Sequence, residues 1–202
     1  MHQIPAHIAH LSNDSKLKPA LEKEITRTIE HKEDVFFHLC ASIMSQQLST
    51  KVADVIKNRF IAIYGGYPKP QQVVDTAFDV LRAIGLSNAK VNYVQNEARY
   101  FEEHQLNDAT FKPLSNEEVM DLLLPIKGVG KWTVEMLLMF TLGREDVFAV
   151  DDLGIQQGMI KLYGLETLDK KQLRNEMLSI SASWSPYRTW ACFYLWNYKD
   201  SK

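Results

Sequence analysis

Two short stretches within residues 124–152 combine residue types suited to chemistry on a phosphate-linked substrate. The first is Ile126-Lys127-Gly128-Val129-Gly130, a tight G-V-G turn that opens an apolar helix. Glycine serves where a chain turns with positive φ, or where a ligand must come close to the backbone. The first amides of the following helix favour an anion. Such a grip holds phosphates without reading bases. The second stretch is Asp151-Asp152, between the apolar run Val147-Phe148-Ala149-Val150 and a helix beginning Leu153-Gly154-Ile155. A carboxylate fixed at a helix start has its charged form favoured by nearby amides. It can stabilise a cationic transition state or orient a water. Each feature alone also has a plainer meaning: a G-x-G can be a turn between packed helices, and aspartate is a preferred N-cap. Lys127 and Lys131 flank the turn and either add charge to a phosphate or are simply solvated.

The rest of the chain must position these groups. Its 202 residues are 46% apolar and 24% charged, enough for a sizeable core without disulfides or a structural metal. Cys40 and Cys192 sit in apolar helical segments and read as buried free thiols. Two cysteines cannot build a four-cysteine iron–sulfur or zinc site. His7 and His10 have no partners at metal-ligand spacing. No apolar stretch approaches the roughly 20 residues that span a bilayer, and the N-terminus lacks a signal-like core, so no membrane partner and a cytoplasmic location are expected. The formal net charge of −2 argues mildly against nucleic acid. A binding footprint is local, however, and a backbone grip needs little net positive charge.

Strand alternation is nearly absent and helical periodicity is plentiful. The pattern predicts helices over 35–45, 49–64, 71–76, 79–83, 88–104, 131–142, 153–163, 170–178 and 187–198, with another between Ser115 and Pro125. Ser87 is a candidate N-cap, and Ser115-Asn116-Glu117-Glu118 fits a capping box. The expectation is an all-α protein of about ten short helices, a two-lobed helical bundle with a helix–hairpin–helix and a cleft between the lobes.

The combination of L-P-I-K-G-V-G-K-W-T at 124–133 with V-D-D-L-G-I at 150–155 resembles the helix–hairpin–helix (HhH-GPD) DNA glycosylases, in their 3-methyladenine DNA glycosylase II, or alkylation-repair, branch. S-I-M-S-Q-Q-L-S at 42–49 and W-S-P-Y-R at 184–188 extend the likeness over roughly residues 34–198. It implies one glycosylase domain over 1–202, the helix–hairpin–helix at about 117–142, and N- and C-terminal helices sharing a lobe.

The resemblance assigns the catalytic role to Asp152, with Asp151 a neighbour or cap. It puts phosphate binding at Gly128, Val129, Gly130 and Lys131. Trp132 and Trp196 match base-pocket positions, with Phe148 and Met136 as lesser candidates. Gln47 and Leu48 match an element that fills the gap left by a flipped nucleotide. Read without the likeness, Gln46-Gln47 simply ends a helix and Leu48 packs inward. Bifunctional relatives carry a nucleophilic lysine where this chain has Trp132, and Lys131 points elsewhere on the helix. The resemblance therefore implies monofunctional hydrolysis of alkylated purines in damaged double-stranded DNA, starting base excision repair, by a protein expected to be monomeric. It implies no iron–sulfur cluster and no cofactor beyond a Na+ or K+ ion at the main-chain carbonyls of Leu124, Ile126 and Val129. One departure is Lys127, where many relatives have proline before G-x-G. Three other readings stand beside this one: a non-catalytic helix–hairpin–helix DNA-binding protein, the same fold acting on an oxidised, deaminated or mismatched base, and a metal-dependent helical hydrolase.

Overall fold

The computed structural model describes residues 4–199. Among the described residues the regular structure is all helical, with thirteen helices and no strand. None of these helices is long and apolar enough to cross a membrane. The chain divides into two compact units. One is contiguous, residues 30–142; the other joins the described residues up to 29 with those from 143 on.

The contiguous unit is built around α3 (Val35–Ser45), whose Val35, Phe36, Phe37, Leu39, Cys40, Ile43 and Met44 are all buried. It packs against α4 (Thr50–Tyr64), α7 (Asn88–Glu103) and α10 (Lys131–Phe140). Three shorter helices, α5 (Pro70–Asp75), α6 (Phe78–Ala83) and α9 (Asn116–Leu123), fill the remaining sides. The four-residue α8 (Asp108–Phe111) escapes any periodicity argument by its length. Its role is visible in the hydrogen bonds: Asp108 accepts from the N–H groups of Asp34 and Val35, each at 2.9 Å, and so caps α3. Ser87 caps α7 by accepting from the Lys90 N–H, and Ser115 with Glu118 closes the expected capping box on α9. α10 stops at Phe140, two residues earlier than its apolar run suggests, because the N–H groups of Thr141 and Leu142 both turn back onto the Leu137 carbonyl.

The interrupted unit holds α1 (Ala6–Leu11) and α2 (Lys18–Leu21), N-terminal helices whose bounds the sequence pattern did not give. With them are α11 (Leu153–Tyr163), α12 (Lys170–Ala182) and α13 (Arg188–Lys199). α12 runs beyond the expected Leu178 as far as Ala182. Asp14 fastens the N-terminal segment to this unit, accepting from Tyr163 Oη at 2.6 Å and Trp184 Nε1 at 3.0 Å.

Glu97 lies wholly buried on α7 beside Cys40 of α3, with hydrogen-bond geometry at neither carboxyl oxygen. Burial pushes its pKa well above the usual carboxylate range. Above the unfolded pKa the unfolded chain releases this proton while the folded chain keeps it, so stability is lost as pH rises. Glu97→Gln is therefore expected to raise the melting temperature at pH 7–8, with a gain that vanishes below about pH 4.3, the unperturbed value for glutamate. Thermal melts of both proteins across that range check it.

Candidate active site

In the contiguous unit, residues 124–130 link α9 to α10 as a hairpin. Gly128 has φ +103°, and a Cβ there would stand 2.4 Å from Cγ of the Tyr93 ring. Only glycine fits both the angle and the space. Gly130 differs: its φ is −106° and a Cβ would meet nothing within 4 Å. Neither packing nor dihedral demands glycine there. As the N-cap of α10 it contributes no side chain to cap the first amides of the helix. Lys131 forms an ion pair with Glu135 one turn on, at 3.5 Å, which directs its ammonium along its own helix.

Trp132, Met136 and Phe140 recur every fourth residue on α10 and share one face. That face lines a cavity of about 570 Å³ in this unit. Trp132 is 41% exposed, unusual for a tryptophan in an apolar helix. The far wall includes the Phe37 and Tyr67 rings, stacked at 4.0 Å and 10°. His38 also lines it; burial first, then the Lys32 charge, hold its imidazole below the usual range, while Asp34 and Asp108 pull the other way.

Leu48 lies at the rim of the same cavity. α3 ends at Ser45, Gln47 adopts left-handed φ +58°, and Leu48 is 38% exposed rather than packed inward. Gln46 lies between them, and its side chain donates to the Gly128 carbonyl at 3.1 Å.

In the interrupted unit Asp152 is the N-cap of α11. Its Oδ1 accepts from the Ile155 N–H at 2.9 Å and from Trp196 Nε1 at 2.7 Å. One oxygen atom thus caps the helix and is fixed in direction by the indole. The Trp196 ring in turn lies beside Phe193 at 6.0 Å and beneath the Arg27 guanidinium at 5.6 Å. Gly154 makes this possible, because a Cβ there would stand 2.8 Å from Trp196 Cδ1. Asp151 points elsewhere, to Arg174 at 3.2 Å. Phe148 is buried, with its ring edge-on to Trp184 at 5.7 Å, a packing position in this unit.

Residues 40–182 match the HhH-GPD superfamily of base excision DNA repair proteins. The chain belongs to that superfamily. This HhH-GPD chain is 38% identical to DNA-3-methyladenine glycosylase 1 of Schizosaccharomyces pombe over 179 residues, 87% of this chain and 76% of that protein. Among solved structures it resembles a DNA-3-methyladenine glycosidase from Bacillus halodurans, with TM-score 0.85 and 32% identity, covering 98% of this chain and 90% of that one. It also resembles the 3-methyladenine DNA glycosylase of S. pombe in complex with abasic DNA, with TM-score 0.82 and 32% identity, covering 98% and 100%.

Sequence reasoning about this HhH-GPD chain missed the partners that hold these groups. The Trp196 bond to Asp152 spans 44 positions, and the Gln46 bond to Gly128 spans 82. No local pattern announces either. The doubled glutamine at 46–47 was the only signal, and it does not say which amide turns inward. Among the described residues no group of three or more His, Cys, Asp or Glu side chains is gathered as metal ligands.

Proposed function

We propose that this chain is a monofunctional DNA glycosylase that removes alkylated purines of the 3-methyladenine type from duplex DNA, working as a monomer at the first step of base excision repair. The observation that carries the reading is the Asp152 carboxylate, held by two donors at a helix start in a chain whose relatives are named 3-methyladenine glycosylases. A base inside a duplex is out of reach, so the nucleotide is first flipped out. Gln47 and Leu48 fill the gap, the second as an apolar wedge. The hairpin amides hold a backbone phosphate meanwhile. Trp132 and Met136 wall the base; a ring-alkylated purine is cationic, and an indole face attracts cations. Trp196 keeps Asp152 in one orientation.

The N-glycosidic bond then breaks with its electron pair going to the purine, which leaves as a neutral base. The sugar becomes oxocarbenium-like, and the Asp152 carboxylate stabilises that charge. Water adds to C1′ and gives its proton to Asp152 or to solvent. The products are the free base and an intact abasic strand. No amine is placed for a Schiff base, since Trp132 occupies the nucleophile position.

A monovalent cation at the hairpin fits the carbonyls present: no backbone N–H among the described residues bonds to Leu124 O or Val129 O, and Ile126 O accepts only from the Val129 N–H. Bound there, it would add positive charge for the phosphate. The test is release of free bases from methylated duplex by the purified protein in excess chelator. Free 3-methyladenine with uncut abasic strands supports the reading. Intact duplex binding without release of any methylated base overturns it in favour of another lesion or a binding module.

A further inference from the structure

The loop Ser45-Gln46-Gln47-Leu48 is held by more than its own backbone. Lys90, in the first turn of α7, reaches across and donates its ammonium to the Met44 carbonyl at 2.8 Å and the Gln46 carbonyl at 2.7 Å. These are carbonyls at the end of α3, where a helix has no N–H groups left to offer and where positive charge is favoured. The same loop is tied on its other side, because Gln46 Nε2 donates to the Gly128 carbonyl at 3.1 Å and lies 3.4 Å from Thr133 Oγ1. Directly after these ties Gln47 sits at φ +58°. A non-glycine residue keeps that conformation only where its surroundings over-determine it. Partial burial depresses the Lys90 pKa, as expected for an ammonium turned inward onto carbonyls.

We infer that Lys90 and Gln46 are positioning residues for strand opening: they fasten the Gln47-Leu48 wedge to the end of α3 and to the phosphate-gripping hairpin. The inference rests on the proposed function and on Gln47 and Leu48 as its wedge. Wedge and grip then act as one rigid part. Holding the phosphate fixes where the wedge enters, and a loosened loop would let the DNA restack while the phosphate remains bound. Lys90 touches neither the base nor the reacting sugar in this scheme.

The test uses the full chain and a duplex carrying a tetrahydrofuran abasic analogue with 2-aminopurine stacked beside it, which brightens when the stack opens. At saturating protein the wild type is expected to give a large rise, and Leu48→Ala a small one. Lys90→Met is expected to lower the ratio of opened to stacked complexes about tenfold, the effect of losing hydrogen bonds from a charged donor. Its affinity for undamaged duplex should stay unchanged. Lys90→Arg should recover much of the signal, and Gln46→Ala should behave like Lys90→Met. If Lys90→Met fails to fold in a melting scan, Gln46→Ala carries the test. Full brightening in Lys90→Met or Gln46→Ala, with Leu48→Ala dark, overturns the inference and leaves the wedge standing. An equal loss of affinity for undamaged duplex in Lys90→Met makes Lys90 a phosphate contact and also overturns it. No brightening by the wild type, or full brightening by Leu48→Ala, removes the wedge itself.

Discussion

Asp152→Asn is expected to slow release of 3-methyladenine from methylated duplex about 10²- to 10³-fold under single-turnover conditions, the range for losing one electrostatic contact made in the transition state. Almost nothing else should change. Asparagine caps helices about as well as aspartate. Its Oδ1 can still accept from the Ile155 N–H and from Trp196 Nε1, the two donors that hold Asp152 now. The variant should melt with the wild type and bind an abasic-analogue duplex within a few-fold of it, an allowance set by the intact backbone grip. The substitution thus removes charge while keeping shape. Wild-type excision by the asparagine variant would mean that the carboxylate does not stabilise the sugar. A large drop in melting temperature would mean that the activity loss reports folding instead.

Gly128→Ala should act in the opposite way, on structure before chemistry. The new methyl group would meet the Tyr93 ring at 2.4 Å, and the residue would sit at φ +103°. Overpacking and left-handed strain together are expected to cost about 2–4 kcal/mol, read as a lower urea midpoint. Gly130→Ala is the internal control. Its methyl group meets no neighbour within 4 Å, so its stability cost should stay under about 1 kcal/mol, that of a poorer N-cap. It should instead weaken duplex binding, because a side chain at the helix start hinders the close approach of a phosphate to the backbone. Equal stability losses at the two glycines would contradict this division.

The parts legible in the sequence were those written locally. The helix–hairpin–helix came from Ser115 with Glu118, Pro125 and the two glycines, all within a short span. The helix after Asp152 began where its cap required. The short α1, α2 and α8 were not delimited: α2 and α8 have four residues each, little more than one turn, and α1 carries His7 and His10 among its six residues. Asp108 illustrates the cost: it reads as an ordinary polar residue in a loop, and its function as the cap of α3 depends on a partner 73 positions away. Long-range pairing also hid the site's supports. Trp196 was singled out as a wall for a base, but its hydrogen bond to Asp152 joins residues 44 positions apart and could not be read locally. Glu97 gave no sign of burial, because a glutamate on a helix is most simply placed in solvent.

The division of the chain has a consequence for the order of synthesis. Residues 30–142, with the hairpin and the cavity, form one uninterrupted unit that can close as soon as they leave the ribosome. The unit that carries Asp152 cannot. Its early segment must wait for the last helices: the His10 side chain meets the Ser183 carbonyl across 173 positions, and Arg27 meets Asn197 across 170. Closing such long loops is entropically costly and slow. The carboxylate is therefore set in place last. On the proposed function, a nascent or truncated chain lacking α13 would carry the hairpin that grips a strand before it had the fixed carboxylate that helps release a base.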